Sequence, residues 1–115
     1  MEIQGAALRI YVDDLEAAIP FYERLTGARA MSFARGGVQV AAVGSFLLMS
    51  GPEAELELLR KVTATIAVKD VVEAHRVLTG LGARIIAGPL ATPVGHNLIA
   101  MHPDGAVFEY VDQAG

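Results

Sequence analysis

No cysteine occurs in the 115 residues. That absence excludes disulfides, a thiolate nucleophile and any cysteine-ligated metal. Tryptophan is also missing, and phenylalanine and tyrosine together supply only seven rings (4 Phe, 3 Tyr), so stacking platforms are few. There is no basic block: nine Lys and Arg stand against thirteen Asp and Glu, for a net charge of −4. Such a balance argues against holding nucleic acid or an anionic membrane by bulk electrostatics. No apolar run approaches the roughly 18 residues of a membrane span. The opening "MEIQGAALRI" lacks the basic region and long apolar stretch of a secretory signal. A soluble cytoplasmic protein is the expectation. The glycines of "GGVQVAAVG" (36–44) precede no Gly-Lys-Ser/Thr, which makes the stretch a hairpin and not a phosphate loop. Ser32, Ser45 and Ser50 lack the sharp strand-to-helix turn of a serine nucleophile.

What is present is apolar. Hydrophobic residues make up 53% of the chain. One compact domain of this length is expected, with part of its apolar surface meeting a second copy or lining a cavity.

The chain also repeats itself. "LRIYVDDLEAAIPFYERLTGAR" (8–29) lines up with "ATIAVKDVVEAHRVLTGLGAR" (64–84), so that Val12 falls on Val68, Asp14 on Asp70 and Ala18 on Ala74. "GSFLLMSG" (44–51) pairs with "GAVFEYVD" (105–112) through Gly44 and Gly105. A duplicated unit of half the chain organises the fold. In each unit an alternating strand (7–12, 63–68) precedes an aspartate suited to cap a helix. Leu15, Ala18, Ile19, Tyr22 and Leu25, then Val71, Ala74, His75, Leu78 and Leu81, recur at helical spacing. Gly27 and the Gly80/Gly82 pair end the helices, and Pro20 is expected to bend the first. Three strands follow each helix: 29–35, 37–43 and 45–50, then 83–87, 96–102 and 106–111, the last three parted at Gly88-Pro89, at 93–95 and at 103–105. The order is βαβββ twice. Module one spans 1–51, a linker with a short helical turn spans 52–61, and module two spans 62–115.

On "VDDLEAAIPFYERLTGAR", "VKDVVEAHRVLTGLGAR" and "PVGHNLIAMHPDGAVFEYV", the chain resembles the vicinal-oxygen-chelate superfamily, the glyoxalase, bleomycin-resistance and extradiol-dioxygenase group. The resemblance covers nearly the whole length. It implies an α+β fold of two tandem βαβββ modules whose curved mixed sheets form a cleft, within one chain or across two, usually in a homodimer. It also implies four cleft-lining positions that hold a metal in many members, one on the first and one on the last strand of each module. Glu109 falls on one of them. Counting from the capping aspartates puts the first-strand positions at Ala7 and Thr63, and matching Gly44 to Gly105 puts the remaining one at Leu48. Alanine and leucine have no donor atom, and threonine is a poor ligand for Zn, Ni, Fe or Mn. No metal and no cofactor are expected.

Glu109 is the candidate catalytic residue, as a general base or as the group that recognises a cationic or hydroxyl-bearing ligand. Arg9 and Tyr11 share a strand face with Ala7, and Arg9 is a possible partner for Glu109. His96, at a strand entry, is the histidine expected in the cleft and titratable near neutral pH. His75 reads as helix packing and His102 as turn geometry. Phe33, Phe46, Leu48 and Met101 complete the expected ligand-binding set with Arg9, Tyr11, Thr63, His96 and Glu109. The function expected is metal-free binding or sequestration of a small organic molecule. Alternatives are a metal-dependent lyase, epimerase or dioxygenase, a metal-free enzyme using Glu109 as acid or base, and a domain kept only for dimerisation.

Overall fold

The computed structural model describes residues 1–113. The chain is α+β and forms two compact units, residues 7–61 and residues 62 onward together with 1–6.

The first unit holds the later part of β1 (Ile3–Tyr11), α1 (Leu15–Thr26), β2 (Met31–Arg35), β3 (Val38–Val43), β4 (Phe46–Ser50) and α2 (Glu53–Leu59). Its strands lie in the order β2-β3-β4-β1. The hairpin pairs are antiparallel, whereas β4 and β1 run parallel with Leu8 opposite Phe46 and Arg9 opposite Leu47. The Asp14 carboxylate caps α1 by accepting the Ala17 N–H at 3.2 Å. Pro20 stands inside that helix, which nevertheless continues to Thr26. Strand alternation gives the sheet two different faces. Ala41, Val43 and Leu48 pack under Leu15, Ala18, Ile19 and Tyr22 of α1. On the other face Val38, Val40 and Met49 pack with Leu56 of α2. The stretch expected as a linker is thus a helix whose Leu56 is buried in the unit's core. Its apolar residues recur too briefly for their periodicity to announce a helix.

The second unit holds β5 (Ala64–Val68), α3 (Val71–Gly80), β6 (Arg84–Thr92), β7 (Gly95–Met101) and β8 (Val107–Gln113). Its order is β5-β8-β7-β6, again with one parallel pair, β5 with β8. Asp70 caps α3 through the Val72 and Glu73 N–H groups at 2.8 and 3.3 Å. Val68, Val71, Ala74, Leu78, Leu98, Ala100 and Tyr110 form the core between α3 and one sheet face. Fully burying a leucine such as Leu98 contributes roughly 1.5–3 kcal/mol. β6 does not stop at Gly88-Pro89 as expected; it runs to Thr92 with one register shift before that pair, between Ile85 and Ala87, and one across it, between Ala87 and Leu90. A strand tolerates proline where a bulge or a free edge removes the need for its N–H. The first residues are tied in by the Lys69 N–H to the Glu2 carbonyl at 3.1 Å and by the Met1 amino group to Glu73 at 3.0 Å.

Candidate functional site

Glu109 answers to the sheet face that α3 does not cover. Its neighbours in sequence, Phe108 and Tyr110, pack with the α3 core, so alternation turns Glu109 the other way. It is only 1% exposed. The Thr65 hydroxyl donates to its Oε1 at 3.0 Å, and the Asn97 amide donates to its Oε2 at 3.1 Å. Both donors are themselves buried. Register explains the cluster: Thr65 stands opposite Glu109 on β5, and Ile99 opposite it on β7, so Asn97 reaches it diagonally. Sequence reasoning missed Thr65 and Asn97. The available signal was a polar side chain in phase with Ile99 and Met101 along an otherwise apolar strand.

Pairing also corrects the positions expected from counting. Glu109 is matched in the first unit by Leu47, because Leu8↔Phe46 and Ala64↔Phe108 are corresponding pairs. Gly105 stands three residues before Phe108, whereas Gly44 stands two before Phe46, so aligning the glycines slips the last strand by one. A one-residue slip reverses the face. Leu48, expected in the cleft, is fully buried beneath α1. Phe46 lies on that same face, its ring 5.0 Å from that of Tyr22. Ala7 and Thr63 are displaced by two residues from Arg9 and Thr65, which keeps them on the expected face but one pleat away. Met101 shares the face of Asn97 and Glu109 by alternation, opposite Val107.

His96 belongs to a different site from the one expected. It alternates with Leu98 and Ala100, on the α3 side. Its ring Nδ1 lies 3.1 Å from Asp112 Oδ1, and its N–H donates to the same oxygen at 2.8 Å. The other carboxylate oxygen of Asp112 accepts the Val71 N–H, at the first turn of α3, at 2.7 Å. Burial works to raise the Asp112 pKa, but these hydrogen bonds outweigh it and hold the group below the usual carboxylate range. The cluster braces the helix start against the strand ends. His102, as its turn position suggested, closes the β7–β8 turn through its N–H to Ala106. Its ring stacks on Phe108 and meets the Tyr110 hydroxyl at 2.7 Å, and burial pushes the Tyr110 pKa up.

The first unit contains a cavity of about 220 Å³. Its floor is the sheet face opposite α1: Phe33, Val38, Val40, Leu47 and Met49. α2 forms the roof with Leu58, Leu59 and Glu55, and Arg9 and Arg35 enter from the two outer strands. The Arg9 guanidinium donates to the carbonyl of Leu59, in the last turn of α2, at 3.1 Å. Of the expected ligand-binding residues, Arg9 and Phe33 line this cavity. Tyr11 lines a smaller, more polar cavity of about 140 Å³ beside it, under the Arg60 guanidinium at 5.0 Å. Its hydroxyl is buried with no hydrogen-bond partner among the described residues.

A divalent metal of the kind the resemblance implies does not suit these side chains. Around Glu109 stand a hydroxyl and an amide donating to it, and the matching first-unit positions carry a guanidinium and an alkyl group. Among the described residues no three His, Cys, Asp or Glu side chains are gathered as a metal would require.

No family model and no curated protein matches the sequence. Among solved structures, an uncharacterized protein from Methanosarcina mazei is 38% identical, with 99% of this chain and 95% of that one covered and a TM-score of 0.92. Two more distant ones share the fold. Hypothetical protein BH1468 from Bacillus halodurans C-125 is 17% identical over 100% of this chain and 97% of that one, with a TM-score of 0.74. A Streptomyces coelicolor methylmalonyl-CoA epimerase in complex with 2-nitronate-propionyl-CoA is 18% identical over 100% and 99%, with a TM-score of 0.71.

Proposed function

Since the chain belongs to the family of the Methanosarcina mazei protein and has the fold of the vicinal-oxygen-chelate superfamily, we propose that it binds a small organic molecule without using a metal. The cavity of the first unit carries this reading. About 220 Å³ bounded by Phe33, Val38, Val40, Leu47 and Met49 is an apolar hollow that packing would ordinarily fill. An engineered cavity of about 150 Å³ takes up benzene, so the space suits a molecule of one ring or a short chain. The donor chemistry at Glu109 supports independence from a divalent ion.

The test is a screen of small ring compounds by NMR, read at the Met49 and Leu47 methyl groups, beside a titration with Zn, Ni, Mn, Co and Fe(II) followed by thermal unfolding. Saturable shifts at those methyls with no metal-dependent rise in midpoint are expected. A ligand at a hundred times its Kd adds about 2.7 kcal/mol, so a tight metal site would be plain. A stoichiometric metal-dependent rise would overturn the reading.

A second reading is metal-free proton transfer by Glu109, favoured by that carboxylate's burial with two hydrogen-bond donors on the sheet face away from α3. Exchange of the α-proton of methylmalonyl-CoA in D2O, lost in Glu109→Gln, would support it. The homodimer is proposed on the exposed Phe21 and Leu25 of α1 and Met31 of β2. Light scattering at a monomer mass would rule it out.

A further inference from the structure

Strand pairing lays one row of side chains across the first unit's sheet, on the face that α2 covers. Phe33 on β2 stands opposite Val40 on β3, Val40 opposite Met49 on β4, and Met49 opposite Tyr11 on β1. All four pack in the cluster that includes Leu56 of α2. Phe33, Val40 and Met49 line the apolar cavity, whereas Tyr11 lines the polar one beside it. The row thus passes from one hollow to the other at the Met49–Tyr11 pair, whose strands lie about 4.8 Å apart.

The other polar groups of the smaller cavity are provided for. The Ser50 hydroxyl donates to the Asp13 carbonyl at 3.2 Å, the Arg60 guanidinium donates to Glu53, and Asp13 is exposed to solvent. The Tyr11 hydroxyl has neither solvent nor, among the described residues, a hydrogen-bond partner. A buried hydroxyl in that state costs stability that phenylalanine, with the same ring, would not. The ring itself is well used: it packs with Met49 and Leu56 and lies under the Arg60 guanidinium at 5.0 Å. Packing accounts for the ring of Tyr11 and leaves its oxygen unexplained.

We propose that Tyr11 determines specificity: its hydroxyl donates to an uncharged oxygen acceptor on a ring compound whose apolar body lies over Phe33, Val40 and Met49. This rests on the reading of the apolar cavity as a ligand site and adds the ligand's class, an aromatic carbonyl compound or ether. An oxygen a bond or two from a ring over Met49 covers the single strand spacing to β1. Asp13 and Glu53 stand against Arg60 alone around the polar cavity, so a carboxylate acceptor would meet like charge there. An ammonium group has no lone pair to accept the O–H. A neutral oxygen meets neither objection.

Acetophenone and ethylbenzene share one ring and nearly one shape, and only the ketone carries an acceptor. Each is titrated into the unaltered protein and into Tyr11→Phe, with affinities from calorimetry and location from the Met49 and Leu47 methyl resonances. The substitution removes one oxygen and keeps the ring beneath Arg60, so the variant folds. It is expected to weaken acetophenone binding about fivefold, the scale of one neutral hydrogen bond, and to leave ethylbenzene within about twofold. Without ligand it should raise Tm by about 4 °C, since the unpaired oxygen is gone. Equal acetophenone affinity in the two proteins, with shifts at Met49 and Leu47, overturns the Tyr11 assignment and leaves the cavity as a ligand site. A fall in the ligand-free Tm means that the hydroxyl already has a partner within the fold, and overturns the assignment likewise. No methyl shift with either compound overturns both.

Discussion

Asp112→Ala is expected to be among the most damaging single changes to the second unit. The carboxylate joins three elements: it accepts the Val71 N–H of α3 at 2.7 Å and the His96 N–H of β7 at 2.8 Å, from its own place on β8. Alanine leaves both N–H groups without that acceptor. An orphaned buried donor costs about 1–3 kcal/mol, and the share at His96 falls at the low end because that side chain is half exposed. The sum is about 3 kcal/mol. At roughly 2.1 cal/mol/K per residue, unfolding a chain of this length turns that into a fall in Tm of about 12 °C. Asp112→Asn keeps one oxygen acceptor and should cost about half as much.

The pH dependence carries a sign. Because the folded Asp112 pKa is lowered, the carboxylate's contribution is complete above the unfolded value of about 3.9 and is lost as pH falls through the lower folded one. The gap between wild type and Asp112→Asn in urea unfolding should therefore be level from pH 7 to 5 and narrow below about pH 4. If Asp112→Ala unfolds within about 0.5 kcal/mol of wild type at pH 7, or if the gap widens in acid, the bracing role is wrong.

Three further outcomes are expected. Glu109→Ala should cost about 3 kcal/mol in urea unfolding, leaving the Thr65 and Asn97 donors to an apolar side chain, whereas Glu109→Gln, which retains an acceptor, should cost about 1; an Ala variant as stable as wild type would contradict the cluster. Gly95→Ala should prevent stable folding, since its Cβ would stand 2.0 Å from the Asp112 carbonyl oxygen, while Gly37→Ala, which meets only the flexible end of Glu55, should cost under about 1 kcal/mol by thermal unfolding. Leu47→Phe should fill the cavity floor and weaken binding of a small ring compound about tenfold with Tm within about 4 °C of wild type, and unchanged affinity in calorimetry would place the ligand elsewhere.

The duplication, the βαβββ order and the place of Glu109 were legible in the chain because they are carried by local chemistry. Asp14 and Asp70 mark helix starts wherever they occur, alternating residues mark strands, and a carboxylate between Phe108 and Tyr110 is conspicuous in one dimension. The Phe46 and Phe108 pair held the correct strand alignment too, though the glycines beside it suggested another. What the sequence could not supply was pairing. The spacing from the turn glycine to the matched phenylalanine, two residues for Gly44 to Phe46 and three for Gly105 to Phe108, decides whether Leu47 or Leu48 is taken as the match of Glu109, and only strand pairing fixes it. The same holds for His96, whose side is decided by its place opposite Asp112 on β8. α2 likewise is a helix only because the sheet offers Leu56 a face to cover, for a seven-residue helix is too short to stand on its own propensity. Composition and periodicity determined which elements form. Register, settled only when strands meet, determined which side chains share a face and hence where a ligand can lie.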